Sequence, residues 1–343
     1  MKIAIHDSAR GFHPRWVAYC EENGIEVRHV NCHASDIIEQ VRDCDGLMWH
    51  HSQLSPADLL VAKGILQALE HAGIPVFPDW RTAWHFDDKV SQKYLLEALG
   101  VPFVPTWVFL NSQSAFEWIE TAQFPKVFKL RGGAGSANVR LVRTRTEAGK
   151  LVRKAFGRGF SNYDPWGSLK ERWRKVRLGK ASPVQILKGV ARFLHPPEFS
   201  RVLGRECGYI YFQEFMPGNT SDTRIIVIGD KAFALKRFVR ENDFRASGSG
   251  NFAYAREEFD ERCVQIAFDA TQRLSSQCAA FDFVFDTLGD PVIVEISYGF
   301  LPEGYDLCTG YWDTGLTWRP GPFNPQGWMI DVLVGQISER SSA

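Results

Sequence analysis

The stretch AFDFVFDTLGDPVIVEISYGF, Ala280–Phe300, constrains the chain more than any other. Two runs of aromatic and β-branched residues flank Thr287-Leu288-Gly289-Asp290, the composition of two strands joined by a tight turn. With Thr287–Asp290 as the loop, Asp286 faces Pro291, and counting back sets Asp282 directly opposite Glu295. Opposed residues share one face about 5 Å apart, where like charges destabilise the pair. Burying either acid without a partner adds a further desolvation penalty. The hairpin therefore demands positive charge on that face, and a slip of one residue in register would remove the demand.

The rest of the chain is ordinary in bulk. Its 343 residues allow two or three small domains, and 40 Lys and Arg balance 40 Asp and Glu, so no global field points to nucleic acid. There is no signal-peptide pattern and no apolar run of about 20 residues, so a cytoplasmic protein without a membrane span is expected. Seven scattered cysteines, odd in number and without a C-x-x-C, argue for reduced thiols rather than disulfides or zinc.

Strands and helices alternate over about the first 80 residues: MKIAIHD, PRWVAYCEENG, IEVRHVN, ASDIIEQVRDC, DGLMWHH, SPADLLVAKGILQALEHAG and IPVF. That order predicts a parallel, helix-covered sheet. Ser55 is the expected N-cap of the third helix, with Pro56 at its first position. His50 and His51 fall at a strand's C-terminal end, a common ligand edge, although a packing or solvent-facing role is a simpler reading than catalysis.

Next come the helix DDKVSQKYLLEALG, closed by Gly100, and FPKVFKLRGGAGSANVRLVRT, which reads as strand, glycine-rich loop and strand. A dinucleotide fingerprint or a phosphate-binding P-loop must open a helix. Here Val139–Val142 continues as a strand, so the loop is a hairpin tip and both readings fail. Residues 157–206 read as a basic insertion with one or two helices. GYIYFQEFMPG and TRIIVIGDKAFALKRFV restore strand character, EEFDERCVQIAFDATQRLS is a helix, and the tail from Tyr311 is expected to begin irregular and end in a short helix.

The order of these pieces resembles the ATP-grasp superfamily, nearest its carboxylate–amine ligases, such as the ribosomal-protein glutamate ligases and glutathione synthetases. The resemblance implies an α/β (α+β) fold. A parallel α/β domain spans 1–85, a two-lobed ATP-grasp domain with antiparallel sheets spans 86–310, and an aromatic-rich tail spans 311–343. It also implies roles. Lys89 in DDK and Lys129 in PKVFK would contact nucleotide phosphates as flexible point charges. The loop of Gly132, Gly133, Gly135 and Ser136 would close over them with backbone amides and a hydroxyl. Gln213, Glu214, Phe215 and Met216 would line the purine slot, and Asp222 would accept from the ribose hydroxyls. Arg224 belongs to the same pattern near the phosphates. Arg237 and Arg245, the latter in DFR, would stabilise negative charge on the transferring phosphoryl group.

By the same resemblance Asp282, Glu295 and Ser297 would hold one or two Mg²⁺ ions, or Mn²⁺, bridging ATP phosphates, which answers the demand of the hairpin with cations. The ordinary alternative for Asp282 is a buried pair with an arginine. Ser297 and Ser247 stand where relatives carry Asn, which puts a second ion in question. The implied reaction is ATP-dependent ligation: a carboxylate is phosphorylated, then an amine attacks the acyl phosphate to release ADP and phosphate. An ATP-binding regulatory module and an ATP-grasp kinase are the rival readings. The substrates would be small molecules, with His50, His51 and Trp49 at one pocket wall. Tyr305, Tyr311, Trp312, Trp318 and Arg319 could stack an amino-sugar or glycan-linked acceptor, although ordinary packing of the tail against the grasp is the simpler reading. The basic insertion reads as a solvated helical face or as a dock for an acidic or membrane surface. Only base rates favour a homodimer.

Overall fold

The computed structural model describes every residue except 9–10, 134–137, 164, 178–181, 196, 241–242 and 343. The chain forms two compact units: the first holds Met1–Phe86, Ser91–Phe103 and Met216–Ala343, and the second Asp87–Val90 and Val104–Phe215.

The first unit opens with the expected parallel sheet. Strands β1 (Lys2–His6), β2 (Glu26–Val30), β3 (Gly46–Met48) and β4 (Val76–Phe77) lie in the order β2-β1-β3-β4. Helices α1 (His13–Glu22), α2 (Ile37–Gln40), α3 (Pro56–His71) and α4 (Trp80–Ala83) connect and follow them. Ser55 caps α3, its hydroxyl accepting from the Asp58 amide. Sequence periodicity predicts a full helix over ASDIIEQVRDC, but α2 is a single turn. Asp43 pairs with the Lys2 ammonium, and Asp45 accepts from the Lys2 amide at 2.7 Å, so the segment's acids serve β1 instead of prolonging the helix. Alternate residues of β1 feed opposite cores: Ile3 and Ile5 one, Ala4 the other, where α3 adds Ala62, Leu66 and Leu69. Helix α5 (Lys89–Ala98) follows, and Gly100, at φ +62°, ends its chain direction.

The second unit is built on an antiparallel sheet of β5 (Thr106–Phe109), β6 (Lys126–Lys129), β7 (Arg140–Val142) and the later β10, in the order β5-β10-β6-β7. Helices α6 (Ser112–Thr121) and α7 (Arg145–Ala155) supply Ile119 and Val152 to a core with Phe128 and Phe212. Strand β6 pairs antiparallel with β7, so a strand does follow the glycine-rich segment as the sequence predicts, while residues 134–137 of that segment lie outside the described residues. The basic insertion is richer than one or two helices. Between β8 (Phe160–Ser161) and its partner β9 (Arg205–Glu206) lie α8 (Pro165–Arg177), α9 (Val184–Leu194) and the short α10 (Glu198–Leu203). Strand β10 (Ile210–Glu214) closes the unit.

The first unit resumes with a larger sheet. Strands β11 (Ser221–Ile228), β12 (Lys231–Phe238), β13 (Phe252–Ala253), β14 (Cys278–Phe285), β15 (Pro291–Ser297), β16 (Gly310–Asp313) and β17 (Trp318–Pro320) run in the order β15-β14-β11-β12-β16-β17, with β13 on β12. One face carries Ile226, Ile228, Leu235 and Ala280, packed with β1 and with Met329, Ile330 and Leu333. The other face carries Ile225, Val227, Phe281 and Ile293 and is covered by α11 (Glu261–Leu274). The tail departs from expectation. It adds β16 and β17 to the sheet and ends in α12 (Pro325–Ser341), 17 residues long and capped by Asn324. Trp312 is fully buried and meets Trp318 edge-on at 4.5 Å, which is why an aromatic-rich segment becomes strand rather than irregular surface. No described helix is long and apolar enough to cross a membrane.

Candidate functional site

Asp282 does face Glu295, by a route that counting from the turn does not anticipate. Asp286 does not face Pro291. Its Oδ1 accepts the amides of Leu288 (2.8 Å) and Asp290 (2.9 Å), which draws Asp286 into the loop and sets Phe285 opposite Pro291. The ladder then shifts by one between the Asp282–Glu295 and Phe283–Ile293 pairs, passing over Val294. This bulge restores the opposed acids. Next to it the Ile293 amide donates to the Pro102 carbonyl at 2.9 Å.

The positive charge comes from the protein itself. Across β11 and β14, Arg224 faces Asp282; across β11 and β12, Asp222 faces Arg237. Arg224 grips Asp282 with Nε–Oδ1 of 2.5 Å and Nη2–Oδ2 of 2.8 Å, and Arg237 Nη2 adds a contact of 2.8 Å to the same Oδ2. Arg237 also binds Asp222 in two places, at 2.6 and 2.8 Å. Two acids and two guanidiniums thus alternate at the end of a sheet face that is otherwise apolar. Burial alone would raise the Asp282 carboxyl; the two guanidiniums override it and hold the group well below the usual carboxylate range. Burial pushes Asp222 up against the pull of Arg237, and repulsion from Asp282 adds to the rise. Burial works against the Arg224 charge, but Asp282 keeps its pKa well above the ordinary value. Tyr305, beside Arg224, is pushed up to about 12 by burial.

The other metal candidates differ. Glu295 is half-buried. The Ser297 hydroxyl donates to the Gly299 carbonyl at 2.9 Å and accepts the Gly299 amide at 3.1 Å, closing a turn on itself. The donor set that could hold one hard cation is Glu295 with the lone pairs that Asp282 retains beside its arginines. It does not offer Ser297 to a second.

In the second unit both phosphate-lysine candidates are buried at about one-twentieth exposure, Lys89 at the start of α5 and Lys129 at the end of β6. Lys89 Nζ donates to the Gly133 carbonyl at 2.9 Å, and its amide donates to the Arg131 carbonyl. Gly133 takes φ +110° and gives its amide to Asp87 at 2.9 and 3.1 Å, a backbone that L side chains rarely adopt. Lys89 therefore sits directly under the described part of the loop, Gly132 and Gly133; Gly135 and Ser136 lie outside the described residues. Gln213 is buried, its amide nitrogen donating to Thr106 and Tyr211, while Glu214 is taken by Lys126 at 2.6 and 2.8 Å. Lys126 was not singled out from the sequence; a Lys and a Glu directly opposed on β6 and β10 were the available signal. Phe215 and Met216 follow the strand, the latter beginning the first unit's third stretch. Arg245 binds Asp243 of its own loop at 2.6 to 2.9 Å.

The N-terminal histidines are packed, not solvent-facing. His50 stacks on Phe12 with ring centroids 3.8 Å apart, and its Nδ1 accepts the Phe12 amide. Trp49 is fully buried and His51 nearly so, which leaves neither ring a free pocket face. Trp312 and Tyr305 are likewise core residues, so tail packing, and not sugar stacking, describes those two. The structure also gathers Asp7, His13 and His29, which the sequence did not suggest. Their donor atoms lie within 4.8 Å of one another at the sheet's C-terminal edge, and His29 Nδ1 is 2.6 Å from Asp7 Oδ1.

Burial lowers the pKa of His50 to about 4 and of His51 to about 3. An unfolded histidine takes its proton near pH 6.5, so stability is complete above that pH and falls as the medium is acidified toward the folded values. Each group contributes about 1.4 kcal/mol per pH unit in that window. Urea unfolding at pH 7 and pH 5 should therefore show a marked loss for the wild type and a smaller one for His51→Leu. The substitution removes Nε2, a buried atom without a hydrogen-bond partner among the described residues. Equal slopes in the two proteins would sink this assignment.

No family model matches the chain, and no curated protein matches it in sequence. Solved structures do. The RimK domain ATP-grasp protein of Sphaerobacter thermophilus superposes with a TM-score of 0.56 at 16% identity, covering 98% of this chain and 100% of its own. The D-alanine–D-alanine ligase of Bacillus anthracis, solved with ATP, gives 0.57 at 13%, covering 100% and 98%. D-cycloserine synthetase DcsG gives 0.60 at 13%, covering 98% and 100%. The chain has the ATP-grasp fold.

Proposed function

We propose that this chain is an ATP-dependent ligase that activates a carboxylate as an acyl phosphate and joins it to an amine, releasing ADP and phosphate. The observation that carries the reading is the partly buried charge row Arg237–Asp222 and Arg224–Asp282–Glu295, a costly arrangement that an apolar face would not keep for stability alone. The fold shared with the ATP-bound ligase supports it.

In this reading Lys89 and Lys129 neutralise nucleotide phosphates, and the amides of Gly132 and Gly133 approach them as closely as a residue without Cβ allows. Asp222 orients the ribose. Arg237, with Arg224, stabilises charge as the phosphoryl group transfers, and Arg245 does so from its loop. Mg²⁺, held through Glu295 and Asp282, supplies charge neutralisation at the phosphates. The protein positions and neutralises; little covalent chemistry falls to it.

The test is calorimetric binding of a non-hydrolysable ATP analogue with and without Mg²⁺, followed by screening of carboxylate and amine pools for ADP release and amide product. Lys89→Met is expected to weaken the analogue roughly tenfold or more, the scale of one charge-assisted hydrogen-bond set. No binding by folded wild type would overturn the reading. A second reading, a nucleotide-binding module without ligation, is favoured by the three guanidinium contacts that Asp282 already accepts and by Ser297 closing on Gly299. It predicts analogue binding with no turnover for any pair, and a kinase would leave a stable phosphorylated product instead.

A further inference from the structure

The helices α8 and α9 form a tight hairpin. Gly189 lies against Leu169 and Arg172, where a Cβ would come within 2.9 and 3.0 Å of their side chains, and Arg172 Nη1 donates to Gln185 Oε1 at 2.6 Å. Trp166 at the start of α8 meets Phe193 near the end of α9 edge-on at 4.9 Å, so the two apolar stripes join. Packing of the hairpin does not use up those stripes. Leu187, Val190 and Leu194 recur at helical spacing along α9, and Leu187 and Leu194 are 71% and 82% exposed. Trp166 and Trp173, one heptad apart on α8, are 65% and 54% exposed. Single exposed hydrophobics are ordinary, but a continuous stripe on two neighbouring helices marks an interaction surface.

Charge limits what can cover it. Residues 165–194 contain eight Lys and Arg against one Glu, while the whole chain is balanced at 40 and 40. Lys170, Arg177, Lys188 and Arg192 are exposed beside the stripe. The Arg177 guanidinium lies 5.5 Å from the Trp173 ring centroid. A second copy would set one strongly basic face against another and is disfavoured by repulsion. Protein interfaces are depleted in Lys and mix both signs, neither of which fits. Leu and Trp on one side with Lys and Arg along its borders is the pattern of a helix lying in the plane of an anionic lipid surface, with Trp at headgroup depth. At about 1.5 Å per residue α9 spans roughly half a bilayer core, so it lies on the surface and does not cross it.

We propose that the α8–α9 hairpin is a peripheral docking surface for an anionic lipid bilayer. The site is independent of the ligase reading, since none of its residues is assigned to nucleotide or metal. The test is co-sedimentation of the full chain with vesicles of phosphatidylcholine alone and of phosphatidylcholine mixed equally with phosphatidylserine. Binding is expected to the mixed vesicles only, and to weaken as salt is raised. Lys170→Gln/Lys188→Gln should reduce partitioning about fivefold per removed charge. Leu187→Glu/Leu194→Glu should reduce it roughly tenfold or more. All four positions are exposed, so the variants should keep the wild-type melting temperature and ATP-analogue affinity. Absence of sedimentation with mixed vesicles would overturn the proposal. So would binding that the leucine pair does not change, or capture of polyglutamate with a charge dependence but no leucine dependence; the last would assign the surface to acidic polymers.

Discussion

Alanine at Glu295 is expected to lower Mg²⁺-dependent ADP formation roughly a hundredfold or more while leaving the fold intact. Glu295 sits on β15, the edge strand of its sheet, and is half-buried. Its partner across the ladder, Asp282, already accepts three guanidinium contacts. On the proposed reading Glu295 would be the main cation ligand of the opposed pair, and the substitution takes that carboxylate away. Glu295→Gln is the stricter version, because it keeps the shape and loses the charge. Steady-state ADP release across a Mg²⁺ titration reads the effect, with thermal melting as the control for folding. Wild-type turnover and an unshifted Mg²⁺ requirement in both variants would remove Glu295 from the site.

Asp282→Asn is expected to act mainly on stability, with a loss of about 3–5 kcal/mol. The asparagine can accept hydrogen bonds, but it leaves Arg224 and Arg237 buried with one fewer negative charge between them. Equilibrium urea unfolding measures the loss. The double variant Arg224→Gln/Asp282→Asn should recover part of it, because the uncompensated charge goes with the arginine while Asp222 still serves Arg237. A loss below about 1 kcal/mol in Asp282→Asn would mean that the buried pair is not a structural element, since even an ordinary hydrogen bond contributes that much. The contrast matters for the chemistry: two opposed acids that look equivalent in sequence are expected to separate into one whose main effect is on stability and one whose main effect is on the cation.

Much of the architecture was legible because it rests on local signals. Period-two and period-3.6 patterns, the Ser55 cap and the strand continuing after the glycine-rich loop mark most elements and exclude the helix-opening nucleotide folds. The tail was misread because Trp312 and Trp318 look alike whether they face solvent, a ligand or each other; only pairing of β16 with β12 makes Trp312 core, with the partly buried Trp318 packed against it. The short α2 was misread for a similar reason, since Asp43 and Asp45 beyond it bind Lys2 of β1, more than 40 positions away.

The sequence by itself determined that two acids stand in an apolar hairpin and that something positive must meet them, because an unpaired buried charge is costly whatever the surroundings. Tertiary structure alone decided what meets them. Arg224 and Arg237 reach Asp282 through strand pairings that link residues 58 and 45 positions apart, and the bulge at Val294 corrects a turn that is itself one residue out of the simplest register. Charge demand is a property of composition and burial, so it can be read from a chain. Which charge answers it depends on register across strands, where a shift of one residue reverses the face of every side chain.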